Sequence, residues 1–177
     1  YTSTVKVLLH GDGANGGTTF TDSGPGAISL TQGGAGNVTT STAAFKFGTA
    51  SLRFAGTNQW LKTASLAAFA IGTNEVCIEC WVKFDSSTNL HHVWQLGSGL
   101  NNRINLSYNG STGLLSLYMN NASNGRGVIN YRMGLTDGQF HHLACVKEPG
   151  QYSTWTLYVD GFPVGSSDSY SVNAMSA

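Results

Sequence analysis

Apolar and polar residues alternate in short runs along most of the chain. One such run, Glu75–Phe84, reads Glu-Val-Cys-Ile-Glu-Cys-Trp-Val-Lys-Phe, and this alternation puts successive side chains on opposite faces of a strand. Gly, Asn, Ser and Asp separate the runs, and these residues favour turns. We therefore predict strands at Val5–His10, Ala27–Thr31, Ser51–Phe54, Gln59–Thr63, Val76–Phe84, His92–Leu96, Ile104–Tyr108, Leu114–Tyr118, Val128–Arg132, His141–Lys147, Thr154–Val159 and Pro163–Ser167.

The turns between these runs indicate antiparallel pairing. Asp160-Gly161 stands between two apolar runs and is the strongest short hairpin signal in the sequence. Helical periodicity is confined to one short turn at Ser65–Phe69. Many short strands without βα alternation predict an all-β antiparallel β-sandwich of the jelly-roll kind. No composition shift or linker divides the sequence, so we predict a single domain over residues 1–177.

The composition excludes some classes of binding partner. Hydrophobic residues make up 41% of the 177 residues, which is enough for a sizeable core. Nine Lys+Arg balance nine Asp+Glu, and no basic run offers a grip on nucleic acid. No apolar run approaches the length of a transmembrane helix, so we expect neither nucleic-acid binding nor membrane insertion. Because the sequence begins at Tyr1 rather than Met, we expect a processed product or a segment of a longer chain.

Three cysteines give an odd number and no disulfide framework. Cys77 and Cys80 have the C-x-x-C spacing of metal and redox sites, but residues three apart on a strand point to opposite faces. We predict buried, reduced cysteines. A disulfide from Cys145 to Cys77 or Cys80 is the alternative.

Five blocks resemble laminin G-like jelly rolls of the concanavalin A-like lectin/glucanase superfamily. The first is Val7-Leu-Leu-His-Gly-Asp-Gly13 with the following Thr-Thr-Phe-Thr-Asp-Ser, and the others occur in the family's order. They are Phe45-Lys-Phe-Gly-Thr-Ala-Ser-Leu-Arg-Phe-Ala-Gly56, Ile78-Glu-Cys-Trp-Val-Lys-Phe84, Gly138-Gln-Phe-His-His-Leu-Ala144 and Leu157-Tyr-Val-Asp-Gly161.

The resemblance also implies a location and a missing element. The first block is most similar to those of bacteriophage virion proteins and bacterial surface proteins, which implies a virion-surface or extracellular location. The family ends in a strand of the type Gly-Tyr-Ile-Asp-Glu-Val-Arg-Ile, whereas this sequence ends in Ser171-Val-Asn-Ala-Met-Ser-Ala177. We expect the sandwich to lack that strand, either because the chain is truncated, which we favour, or because another segment supplies it by β-addition.

Catalytic carboxylates are scarce. Glycoside hydrolysis needs a pair of carboxyl groups around the scissile bond, and strand-borne sets follow a Glu-x-Asp-x-Glu pattern. Glu75 and Glu79 share a strand face but have no Asp between them, and Glu148 is the only other glutamate. The resemblance makes His141-His142 part of a structural strand. We therefore predict that the protein is not an enzyme.

Binding is the remaining function. Sugars are held by aromatic rings under their C–H faces and by amide groups on their hydroxyls, and the stretch Tyr118–Gly127 is the most loop-like polar and aromatic one. We expect Trp60 and Trp81 to fill the core and Trp155 to pack beside the hairpin strand. Our candidate ligand-binding residues are Tyr118, Asn120, Asn121, Asn130, Tyr131, His91 and Trp94.

Asp12 and Asp22 flank the Gly- and Asn-rich loop Gly11–Ser23. Family members hold Ca²⁺ near such a rim, and Ca²⁺ prefers carboxylate, amide and carbonyl oxygens. These two residues are candidate Ca²⁺ ligands, with turn formation as the alternative.

Two hypotheses of function follow. In the first, a non-catalytic carbohydrate-binding or adhesion domain recognises a glycan or a host surface polysaccharide. In the second, a capsid-decoration or tail-fibre assembly module contacts other virion or surface protein subunits and has no sugar affinity.

Overall fold

The computed structural model describes residues 5–55, 58–64, 69–85, 88–97, 102–121, 125–150, 152–167 and 170–171. Their regular structure is almost entirely β. The strands are β1 (Leu30–Gly33), β2 (Thr39–Ser41), β3 (Ser51–Arg53), β4 (Trp60–Thr63), β5 (Val76–Val82), β6 (Leu90–Leu96), β7 (Asn102–Asn109), β8 (Leu114–Asn121), β9 (Gly125–Arg132), β10 (His141–Lys147), β11 (Tyr152–Ser153), β12 (Trp155–Val159), β13 (Phe162–Ser166) and β14 (Tyr170–Ser171).

The chain divides into two compact units, residues 1–68 and 69–177. In the first unit, β1 pairs with β4 and β2 pairs with β3, all antiparallel. The predicted strand Val5–His10 is wrong, since Leu9 alone forms an isolated bridge, to Asp22. The reason is local: the Asp22 carboxylate accepts the Leu8 N–H at 2.7 Å, so a side chain takes a donor that a strand would have used.

The second unit is a β-sandwich of two four-stranded antiparallel sheets. One sheet, which we call the front sheet, has the order β6-β7-β8-β9. The other, the back sheet, has the order β13-β12-β10-β5, and β11 pairs separately with β14. The predicted all-β antiparallel sandwich is therefore confirmed. The expected absence of a final strand concerns residues 172–177, which lie outside the described part of the chain.

Alternate residues of the two sheets meet to form the core. Removal of these apolar side chains from water is the main favourable term in folding, at about 25 cal/mol per Å². Tyr108 brings its hydroxyl into this layer, where it accepts the Leu135 N–H at 3.1 Å and donates to the Met133 carbonyl at 3.3 Å. The fully buried members include Ile104, Leu106, Leu115, Leu117, Met119, Leu143, Cys145, Trp155 and Leu157.

Two positions of the second unit require glycine, one for lack of space and one for its backbone conformation. A Cβ on Gly165 of β13 would lie 2.6 Å from Cγ2 of Ile129 in the front sheet, so close approach of the two sheets excludes a side chain there. Gly161 and Asp160 both have positive φ, at 84° and 51°. This is the geometry of the two-residue hairpin that Asp-Gly predicts.

Three expectations about aromatic and loop residues need correction. Trp60 and Trp81 are each 40% exposed, whereas Trp155 is completely buried. Trp81 lies outside because the inward residues of β5 are the even-numbered ones from Val76 to Val82. The stretch Tyr118–Gly127 belongs mostly to β8 and β9 rather than to a loop.

The predicted helical turn at Ser65–Phe69 lies largely outside the described residues. Within the described part of the chain, no helix has the length and apolar character that crossing a bilayer requires.

Candidate functional site

The register of the front sheet sorts its residues onto two faces. Residues of β7 and β8 that point away from the core form two rows across the sheet. We call this outer surface the polar face. One row is Gln95, Asn105, Tyr118 and Val128, the next is His92, Ser107, Ser116 and Asn130, and the flanking positions include Arg103, Asn120 and Arg132.

Three of the predicted ligand-binding residues share this face. Tyr118 and Asn120 lie on β8, and Asn130 lies on β9, where it pairs with Ser116. Asn121 is also a β8 residue, but its side chain lies outside the described part of the structure.

The other three predicted residues point toward the core. The His91 ring lies 5.1 Å from the Phe84 ring, and Trp94 packs against the buried cluster. Tyr131 pairs with the buried Leu115 and is 36% exposed. A β-bulge between His92 and Trp94 decides these orientations, because the extra residue lets both His91 and Trp94 face inward.

Two contacts fix the geometry of the polar face. The Arg103 guanidinium carbon lies 5.4 Å from the centroid of the Tyr118 ring, which is cation–π distance. The Ser116 hydroxyl donates to Oδ1 of Asn130 at 2.7 Å. An aromatic ring and an amide are thus held in defined positions on neighbouring rows.

The middle of the face has a buried polar floor. Asn105, Ser107 and Asn120 are 5%, 9% and 8% exposed. Within the described part of the chain, Oδ1 of Asn105 has no hydrogen-bond partner. Around this floor the side chains of His92, Gln95 and Asn130 are exposed.

Sequence reasoning missed the polar residues of β6 and β7. The signal was present in Asn102–Asn109, which reads Asn-Arg-Ile-Asn-Leu-Ser-Tyr-Asn and is polar at every second position. This pattern predicts one polar face, but only the pairing with β8 brings Asn105 beside Tyr118.

The two candidate calcium ligands lie in the first unit and are already bonded. Oδ1 of Asp22 accepts the N–H groups of Leu8 and Gly24 at 2.7 and 2.9 Å, and Oδ2 accepts that of Ile28 at 2.8 Å. Burial opposes ionisation of Asp22, but these three bonds outweigh it and lower the pKa of the carboxyl. Its geometry fits the turn-forming alternative better than a cation ligand.

Asp12 is bonded in a similar way. Its Oδ1 accepts the backbone N–H of Thr49 at 2.8 Å and the Thr49 hydroxyl at 3.2 Å, and the backbone bond lowers the pKa of Asp12. Among the described residues, no three His, Cys, Asp or Glu side chains converge as metal ligands would. Calcium binding remains a prediction from the sequence, and the geometry of Asp22 does not favour it.

His141 binds two carboxylates within the second unit. Its Nδ1 lies 2.8 Å from Oδ2 of Asp160, and its Nε2 lies 3.1 Å from Oδ1 of Asp137. Burial favours the neutral ring, but the bonds to Asp160 and Asp137 outweigh it and raise the pKa of His141. This arrangement ties β10 to the Asp-Gly hairpin, as expected of a structural strand segment.

Glu79 is bonded to the neighbouring histidine. Its Oε2 lies 3.1 Å from Nε2 of His142, and the His142 ring lies 5.2 Å from that of Trp81. Glu75 precedes β5 rather than lying in it, so the two glutamates do not sit together on one strand.

The three cysteines are free in the structure. Cys145 is buried as predicted and Cys80 is half-buried, but Cys77 is exposed because it lies on the outer face of β5. Burial, more than the nearby Glu79, raises the pKa of Cys80 to about 11. That thiol is therefore unreactive at neutral pH.

A comparison with models of protein families finds a match for this architecture. Residues 55–176 match a laminin G family model described as the concanavalin A-like lectin/glucanases superfamily. The chain belongs to this superfamily. Three of the five sequence blocks, from Ile78 onward, lie within the matched residues. Laminin G-like and lectin-like domains in general have carbohydrate-binding or adhesion-type roles, typically outside the cell.

Among solved structures, the chain is similar to domains LG4-5 of the mouse laminin alpha1 chain, with 21% identity and a TM-score of 0.41. The similarity covers 55% of this chain and 26% of that laminin chain. A comparison with curated proteins finds no match.

Proposed function

We propose that the second unit of this superfamily member is a non-catalytic glycan-binding module and that the polar face is its binding surface. One observation carries the proposal. Tyr118, held by Arg103 on one side, lies in register beside the buried amide of Asn105, whose Oδ1 has no hydrogen-bond partner in the described part of the chain.

The chemistry of the face suits a saccharide. An aromatic ring packs against the C–H groups of a sugar, while amides and hydroxyls bond to its hydroxyl groups. Gln95 and Asn130 each provide an amide with donors and an acceptor, and both are exposed. Gln95 lies in the row that contains Tyr118, and Asn130 lies in the next row. The outer face of a four-stranded sheet offers room for an extended chain rather than a small enclosed ligand.

The arrangement of the carboxylates supports a role in binding rather than hydrolysis. β6, β7, β8 and β9 contain neither Asp nor Glu, so the polar face offers no general acid or nucleophile for glycoside cleavage. Laminin G-like lectin domains are in general non-catalytic. We extend the proposal to the location: the resemblance of the first sequence block supports display on a virion surface or another extracellular surface, where a host polysaccharide would be the ligand.

A paired substitution tests the proposal. Tyr118→Ala should weaken polysaccharide binding at least tenfold, because it removes both the stacking ring and the partner of Arg103. Tyr158→Ala is the matched control, because Tyr158 is a half-buried tyrosine on the outer face of the back sheet. Glycan arrays followed by affinity electrophoresis provide the measurement. Equal loss in both variants, or no binding of the parent protein to any polysaccharide, would refute the assignment.

A further inference from the structure

The zero net charge of the chain conceals an uneven distribution. Residues 86–136 contain no Asp or Glu, although the chain has nine. The same stretch contains Arg103, Arg126 and Arg132. All four strands of the front sheet lie within it. The front sheet and its connections therefore have a formal charge of +3.

The rest of the second unit has the opposite charge. Outside residues 86–136, this unit contains two lysines, Lys83 and Lys147, and Lys147 is completely buried. The stretch 86–136 and the remainder of the second unit thus differ in the sign of their formal charge, at +3 and −5. The acidic residues of this remainder of the second unit are Glu75, Glu79, Asp85, Asp137, Glu148, Asp160 and Asp168.

Both described arginines of the polar face lack a carboxylate partner among the described residues. The Arg103 guanidinium stacks on Tyr118, and its buried Nε has no acceptor in the described part of the chain. Arg132 donates from Nη1 to the Thr112 carbonyl at 2.6 Å. A carbonyl does not neutralise a guanidinium, so both charges remain available. Guanidinium groups bind planar oxyanions in bidentate geometry.

The two arginines lie at opposite ends of the face. Arg103 is opposite Asn120 and Arg132 is opposite Leu114, six residues apart along β8. At about 3.4 Å per residue, this is about 20 Å along the strand. The polar rows that contain Tyr118 and Asn130 lie between them. A ligand that meets both arginines is therefore a chain with repeated anionic groups, rather than one sugar.

We propose that the ligand of the polar face is an acidic polysaccharide, with carboxylate or sulfate groups bound by Arg103 and Arg132 and sugar rings bound between them. This inference rests on the proposed function and specifies its ligand class. The absence of acidic residues from β6–β9 supports it, because like charges would otherwise repel such a polymer at close range.

The test compares ligands that share a backbone. Affinity electrophoresis or calorimetry in low salt measures binding to polygalacturonate and to its methyl ester, in which the carboxylates are neutral. Chondroitin and chondroitin sulfate form a second pair that isolates sulfate. In at least one of the two pairs, we expect at least tenfold tighter binding to the more highly charged polymer. We also expect this binding to weaken as NaCl screens the exposed charges.

Single substitutions test whether Arg103 and Arg132 cause the preference for charged polymers. Arg103→Gln and Arg132→Gln should each weaken binding to the charged polymer about three- to tenfold. Arg53→Gln, an exposed arginine of the first unit, removes the same charge elsewhere and should leave binding unchanged. The melting temperature of each variant identifies any loss that comes from misfolding. Equal sensitivity to Arg53→Gln would overturn the assignment, because net charge alone would then explain the binding.

The outcomes separate the two proposals. If charged and neutral polymers bind the polar face equally, the acidic-ligand inference fails and the glycan-binding proposal stands. If no polysaccharide binds, both fail. If single-stranded DNA binds as tightly as the best polysaccharide, the face recognises anions without recognising sugars, and the acidic-polysaccharide inference is overturned.

Discussion

Lys147 provides the most demanding test of how the second unit is held together. Its side chain is completely buried at the end of β10. Its Nζ donates to the carbonyls of Asn74, Glu148 and Gly150 at 2.8, 3.0 and 3.3 Å. The ammonium therefore connects the turn before β5 to the turn after β10. Burial lowers the pKa of this lysine, while the three carbonyl acceptors stabilise its charge.

Replacement by methionine sets two effects against each other. Lys147→Met removes the cost of burying a charge, which is several kcal/mol for an ion without partners. It also leaves three carbonyls without their donor, at about 1–3 kcal/mol each where no water replaces it. Because the carbonyls solvate the ammonium from three directions, we expect the lost bonds to dominate. The expected net loss in the free energy of unfolding is about 3 kcal/mol.

Urea denaturation followed by tryptophan fluorescence measures this loss, since the buried Trp155 reports on the same core. At about 2–4 °C per kcal/mol for a chain of this size, the melting temperature should fall by roughly 6–12 °C. Lys6→Met is the control, because Lys6 is exposed, and it should change the free energy by less than about 0.5 kcal/mol. A Lys147→Met variant as stable as the parent would refute the reasoning and show that burial of the ammonium costs more than its bonds return.

Three further predictions concern other charged groups. Asp22→Asn should destabilise the first unit by about 1–3 kcal/mol in urea denaturation, because an amide has only one oxygen for the three N–H groups that the carboxylate accepts; an unchanged midpoint would contradict this. The pKa of His141 is raised and those of Asp137 and Asp160 are lowered, so their mutual stabilisation is complete between about pH 4 and pH 6.5, and is lost as pH rises through the raised histidine pKa or falls through the lowered carboxyl pKa values. Melting curves across pH should show a maximum of stability in this range. In the His141→Gln variant, the fall in melting temperature on the alkaline side of the maximum should disappear. EDTA should leave the melting temperature unchanged, because Asp22 is already bonded to backbone groups, whereas a decrease that added Ca²⁺ reverses would support the calcium site.

Strand positions could be predicted because local alternation reports them directly. The strand predicted at His141–Lys147 has the observed bounds, and Ser51–Phe54 differs by one residue from the observed Ser51–Arg53. The hairpin at Asp160-Gly161 was also predictable, because its positive φ values select these residue types. These features depend on neighbours in sequence alone.

The face that each strand presents could not be predicted in the same way. In β5 the outward face has Cys77 and Trp81 on either side of the charged Glu79, so apolar residues lie on both faces. The expectation that Trp81 fills the core followed the usual burial of aromatic residues rather than the alternation. In β6 a bulge changes the alternation between His92 and Trp94. The candidate site therefore combined residues of both faces, and only the pairing of β7 with its neighbours separated Tyr118 and Asn130 from Trp94 and His91.

Asn105 raises the question why a polar residue occupies a buried position on the outer side of the front sheet. A buried amide oxygen without a partner costs about 1–3 kcal/mol, and an apolar residue at this central position would avoid that cost. The indole N–H of Trp155, which also has no acceptor among the described residues, is a different case, because the large ring contributes enough apolar contact to outweigh the cost. Asn105 offers little apolar area in exchange. Stability alone therefore does not explain why an amide stands at the centre of the front sheet, and the proposed binding role of the polar face gives this unpaired polar group a reason.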